Sequence, residues 1–181
     1  MPIDALTLRG VVTELAPALV GKRIDRVQQS AKDQVLLTVR GTEKLLFYLG
    51  TDAPRLQLTA IPRENPAEPP MFCMLLRKHL VGARIREITQ PALERLVRID
   101  CDATDELGRE STRTLILEAM GRRSNLILLD EENRIIDCLR RVDADMSRTR
   151  QLLSAISMMI FFPAPIANSS MELSMTSFAK T

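Results

Sequence analysis

A proline-rich break at residues 62–70, Pro62-Arg63-Glu64-Asn65-Pro66-Ala67-Glu68-Pro69-Pro70, limits the fold more than any other feature of this chain. Proline donates nothing to a strand ladder, so a sheet that reaches this segment must stop. Directly after it, Met71 to Leu80 carries apolar residues at helical spacing, with Gly82 just beyond the end. Phe72, Leu75, Leu76 and His79 are predicted to share the packed face of this helix. The chain therefore divides into two halves, each opened by a helix.

The first half starts with Asp4 as a helix N-cap and Leu8, Val11, Val12 and Leu15 on one face. Pro17 or Gly21 closes that helix. Four strand-like runs follow, at residues 23–28, 34–39, 44–49 and 55–59, with a turn at Gly41-Thr42. The second half reads as five strands, at 84–88, 95–101, 112–118, 124–129 and 134–138, with turns at Asp105–Gly108 and Asp130–Asn133. Helix, four strands, helix, five strands predicts an α+β domain with two mainly antiparallel sheets packed face to face. From Asp143 the pattern decays. Residues 146–153 read as a turn or two of helix, and an irregular tail with an apolar patch at 159–162 follows, so the chain is expected to be a piece of something longer.

Composition narrows the chemistry. Aromatic residues are 3% and Trp is absent, so the core must be aliphatic and base stacking on rings is a poor mode for this chain. Net charge is only +2, yet 20 of the 25 basic residues are Arg, whose planar fork suits phosphate. High-GC codon usage would enrich Arg equally. Cys73, Cys101 and Cys138 form no CxxC pair, which argues against zinc. No signal peptide is evident, and no run approaches the roughly 20 apolar residues needed to span a bilayer, so cytoplasmic residence is expected. With one His and no phosphate-loop motif, neither a catalytic constellation nor a cofactor site emerges. His79 fits a helix-terminal role, and the pairs Asp143/Asp145 and Glu131/Glu132 fit solvated turns.

Basic residues cluster at Arg77-Lys78-His79, Arg84/Arg86, Arg95/Arg98, Arg122-Arg123 and Arg140-Arg141 with Arg148 and Arg150. Either these form a positive stripe for an RNA backbone, or each is a surface charge beside its own carboxylate. In Gly121-Arg122-Arg123-Ser124-Asn125, two Arg next to short polar side chains suit phosphate contacts, or else form a solvated turn.

Five separated blocks carry a resemblance: Met1–Arg9, Leu19–Ile24, Pro69–Leu80, Gly121–Leu128 and Asn133–Asp137. In order and register over about residues 1–153, they resemble the NFACT-N family, the amino-terminal domain of bacterial RqcH and eukaryotic NEMF proteins, also called fibronectin-binding protein A. Residues 154–181 look like the start of a linker to further domains.

The resemblance implies a module of ribosome-associated quality control. It would contact tRNA (alanyl-tRNA in bacteria) and the large (50S) ribosomal subunit on stalled nascent-chain complexes, in support of C-terminal alanine tailing. It implies a fold similar to the N-terminal domain of formamidopyrimidine-DNA glycosylases. Ile3 stands where those enzymes carry an acid beside Pro2, so no catalysis is expected. The family's Asp-Arg pair for tRNA recruitment falls on Glu94-Arg95, with a side chain one methylene longer. The expected RNA-binding set is Glu94, Arg95, Arg77, Lys78, Arg122, Arg123 and Asn125, converging on one surface. A fibronectin-binding adhesin and a non-catalytic glycosylase-like DNA binder are the alternatives; no membrane association is expected.

Overall fold

The computed structural model describes residues 3–41, 44–61, 66–104 and 107–141. The expected domain boundary at 153/154, the helical turns at 146–153, the tail and Pro2 lie outside these residues. Residues 1–143 form one compact unit.

Helix α1 (Ala5–Leu19) precedes β1 (Ile24–Ala31), β2 (Gln34–Val39), β3 (Lys44–Tyr48) and β4 (Arg55–Thr59). Helix α2 (Met71–Leu80) precedes β5 (Arg84–Thr89), β6 (Leu96–Thr104), β7 (Glu110–Glu118), a 3₁₀ turn at Gly121–Arg123, β8 (Asn125–Leu129) and β9 (Ile135–Cys138). Both sheets are antiparallel meanders, ordered β1-β2-β3-β4 and β5-β6-β7-β8-β9, so the α+β expectation holds. One apolar cluster joins inward residues of the first sheet (Val27, Leu37, Phe47), of the second (Val97, Leu115, Leu128) and of both helices.

Asp4 caps α1 by accepting the Thr7 backbone N–H at 2.7 Å. That backbone bond, with a further bond from Thr7, holds the Asp4 carboxyl below its usual value of 3.8. A depressed folded-state pKa contributes stability above the unfolded value, lost as pH falls through the folded one. Asp4→Ala is therefore expected to lower Tm at pH 7. The gap to wild type should narrow as pH falls below the ordinary carboxyl value and through the lower folded-state one, in thermal melts across pH; a pH-independent gap would show that the cap does not act through its charge. Pro17 does not end α1, which runs to Leu19. The N–H that Pro17 lacks would have served the Thr13 carbonyl, on an exposed side of the helix where water can replace it.

Helix α2 has the predicted bounds but is rotated from the predicted face. It buries Phe72, Cys73, Leu76 and Leu80, while Leu75 and His79 are half-buried. The reason is its placement against β1, β6 and β9, whereas α1 lies against β4 and β5. Each helix thus covers strands of both sheets.

A repeat explains this exchange. Leu19-Val20-Gly21-Lys22-Arg23-Ile24 recurs as Leu80-Val81-Gly82-Ala83-Arg84-Ile85. In each copy a helix ends, the glycine takes φ of +83° or +87°, and a strand begins. The two copies pair antiparallel around an Arg23–Arg84 bridge. Gly21 N–H donates to Ile85 O (2.7 Å), Ile85 to Lys22 O (2.9 Å), Ile24 to Ala83 O (2.9 Å) and Gly82 to Ile24 O (2.7 Å). These four bonds stitch the two sheets along one edge. Just beyond the stitch both strands shift register, at Ile24/Arg26 and at Ile85/Glu87.

Candidate nucleic-acid interface

Register decides which basic residues meet. Leu96 opposes Glu118, Glu118 opposes Asn125, and Ala119 N–H donates to Arg95 O at 2.8 Å. The start of β6 and the turn joining β7 to β8 therefore lie at the same end of the second sheet. Arg95, Arg122 and Arg123 stand at that end, all exposed, as is Met120. Glu94, Arg95, Leu93 and Met120 face Ile3–Ala5 across a groove of about 420 Å³. Asp4, Glu94 and Arg95 are the charged residues that line this groove.

The segment carrying Glu94 and Arg95 is latched to α1. Arg9 donates from Nε to Gln90 Oε1 (3.0 Å) and from Nη2 to Ala92 O (2.7 Å). Gln90 Nε2 donates to Ala5 O (2.8 Å) and Glu94 O (2.6 Å). The latch holds Ala92 at φ +45°, a left-handed conformation that costs free energy in a residue with a Cβ. Nothing in the local pattern around Arg9 or Gln90 announces this network, which joins positions more than eighty apart.

Other expected site residues stand elsewhere. Asn125 is buried, so its side chain is not a phosphate contact. Its Oδ1 accepts the N–H groups of Leu126 (3.0 Å) and Arg140 (2.9 Å), and its Nδ2 donates to Arg140 O (3.1 Å). Asn125 thus fixes Arg140, whose fork donates from Nη1 to Arg122 O (3.0 Å) and from Nη2 to Leu49 O (2.6 Å). Arg140 ties the Gly121–Arg123 turn to the end of the first sheet.

Arg77 is half-buried and donates from Nε to Val27 O at 2.9 Å, which ties α2 to β1. Lys78 borders a second cavity of about 370 Å³, with His79, Thr104, Arg109 and Arg113. His79 Nδ1 accepts from Arg113 Nε at 3.3 Å, an anchoring bond at the helix end. This cavity lies at the Thr104 end of β6, about 26 Å along the strand from Leu96. The reason is topological: α2 feeds into β5, and Arg84 of β5 pairs with Asp102. The residues expected on one surface are therefore divided, Arg95, Arg122 and Arg123 at one end of the second sheet and Lys78 at the other. Arg98 and Arg86 are bonded to Asp100 (3.0 Å) and Asp102 (3.2 Å).

The described residues hold no cluster of His, Cys, Asp or Glu able to bind a metal. Burial, then the charges of Asp100 and Asp102, push the Cys101 thiol up to about 12, and burial raises Cys73. Neither is a ready nucleophile. No helix among the described residues is long and apolar enough to cross a membrane.

Residues 4–170 match the family model described as NFACT N-terminal and middle domains. The chain belongs to the NFACT family. Among curated relatives of this NFACT chain, the Rqc2 homolog RqcH of Bacillus subtilis is 40% identical over 157 residues, covering 84% of the chain and 28% of the relative. The archaeal Rqc2 homolog aRqcH of Methanocaldococcus jannaschii is 31% identical over 137 residues, covering 72% and 19%. The NFACT chain thus spans under a third of the length of these relatives. The N-terminal domain of the fibronectin-binding protein PavA from Streptococcus pneumoniae superposes with TM-score 0.74 at 36% identity, covering 77% of this chain and 54% of that one. A fibrinogen-binding protein from Staphylococcus aureus gives TM-score 0.70 at 36% identity, covering 78% and 52%.

Proposed function

We propose that this NFACT chain is a non-catalytic RNA-binding module of ribosome-associated quality control. It contacts tRNA and the large ribosomal subunit on stalled nascent-chain complexes, in the cytoplasm, and supports C-terminal alanine tailing. The observation that carries this reading is that Arg95, Arg122 and Arg123 stand at one end of the second sheet with the latched Glu94. Three guanidinium groups on two backbone turns suit phosphates, and a groove with carboxylates at Glu94 and Asp4 offers acceptors to base amino groups. The similarity to RqcH proteins agrees with it.

Arg95→Ala/Arg122→Ala is expected to weaken binding of a tRNA transcript about tenfold and to flatten the slope of log K against log salt by about 1.4–1.8. Fluorescence anisotropy at 50–200 mM salt reads both. Unchanged affinity and slope would remove this site from the reading. Preference for a DNA duplex would favour the glycosylase-like alternative.

A second reading is binding of fibronectin, favoured by the likeness to PavA. It requires the protein on the surface of intact cells and saturable binding to immobilised fibronectin.

A further inference from the structure

At the stitch between the sheets, like charges oppose one another. Arg23 pairs with Arg84 across the antiparallel bridge, and Arg40 N–H donates to Arg23 O at 2.9 Å, continuing the Ile24–Val39 register. Residues opposed in an antiparallel pair project to the same face. Ile24, Val39, Ala83 and Ile85 point into the core, so the three arginines project outward, and all three are exposed. Three adjacent chain segments thus present Arg40, Arg23 and Arg84 in one row.

Direct opposition of like charges destabilises a ladder. The nearest carboxylates are hydrogen-bonded to other arginines. Asp25 is held by Arg40, with Nη2–Oδ1 at 2.8 Å and Nε–Oδ2 at 3.3 Å. Asp102, the cross-strand neighbour of Arg84, accepts from Arg86 at 3.2 Å. No carboxylate among the described residues bonds the side chain of Arg23 or Arg84. The repeat explains how the pair arises: the same strand-opening arginine stands in each half, and the stitch sets the two copies face to face.

We propose that Arg23 and Arg84, with Arg40 beside them, form a rail that grips successive backbone phosphates of an RNA strand. Backbones on the row are about 4.8 Å apart, and flexible guanidinium forks on that spacing reach neighbouring phosphates on one strand. The rail is distinct from the Arg95 site, because Asp102 stands about 20 Å along β6 from Leu96. The proposal rests on the RNA-binding reading and adds a second grip to it.

The test is Arg23→Gln/Arg84→Gln in the full chain, with a tRNA transcript as probe and Arg95→Ala/Arg122→Ala measured alongside. The rail predicts a salt slope flatter by about 1.4–1.8 and affinity about tenfold weaker. It also predicts that Tm of the free protein stays level or rises, because the variant relieves repulsion. An unchanged slope with the Arg95 variant impaired overturns the rail and leaves the Arg95 site standing. Unchanged slopes in both variants overturn both readings. A flatter slope with a lowered Tm assigns the two arginines to folding and likewise overturns the rail.

Discussion

Asp100→Ala is expected to destabilise the fold by about 3 kcal/mol, the low end for breaking a buried ion pair. The carboxylate sits on the face of β6 opposite the Val97–Ile99–Cys101 row. Arg98 Nε donates to both of its oxygens at 3.0 Å, and the Thr114 hydroxyl donates to Oδ1. The side chains of Arg98 and Asp100 are only 15% and 8% exposed, so water does little to replace the lost partner. Arg98 also donates to Thr114 Oγ1 and Asn133 Oδ1, both at 3.2 Å. In a domain of this size the loss corresponds to a fall in Tm of roughly 6–12 °C. Replacing the group together, as Arg98→Met/Asp100→Leu/Thr114→Val, should recover most of it, because no buried charge or hydroxyl is then left unmatched. A loss under about 1 kcal/mol for Asp100→Ala, by chemical denaturation, would mean that solvent reaches Arg98.

Arg140→Ala should cost about 2 kcal/mol, since two charge-assisted bonds are lost and their carbonyl acceptors remain. Arg140 is the side chain that joins the Leu49 carbonyl, past the end of β3, to the Arg122 carbonyl in the turn after β7. Its own backbone is gripped by Asn125. The effect should appear as a lower denaturant midpoint at unchanged m-value. Arg140→Lys should recover little, because one ammonium cannot serve two divergent carbonyls as the fork does. RNA affinity should fall as well, since the Arg122–Arg123 turn loses its tether. Wild-type stability in Arg140→Ala would show that the sheets hold together without this clamp.

The legible parts of this chain are local ones. Helix α2 is readable to its ends, because two prolines forbid continuation on one side and a glycine relaxes the chain on the other. The Asp4 cap and the Asp130–Asn133 hairpin turn are equally readable, since each is built within four residues. The repeat around Gly21 and Gly82 was also there to be found, yet only the pairing of its copies shows what it does. The grouping of residues in the candidate site was legible in part. Arg95 and the Arg122-Arg123 pair stand out as basic residues next to turns, and pairing through β7 unites them. Asn125 misleads, because a short polar residue beside arginines looks the same whether it faces solvent or locks a neighbouring strand.

Spacing of apolar residues, prolines and glycines was enough for element order and for two antiparallel meanders, since these follow from hydrogen-bonding and burial rules that act over a few residues. Which arginines are neutralised, which are latched and which face each other was settled by register between distant segments. A charge interacts with whatever lies within a few ångströms, and Arg9 finding Ala92, Arg140 finding Leu49 and Arg23 finding Arg84 are consequences of chain packing that no local window contains.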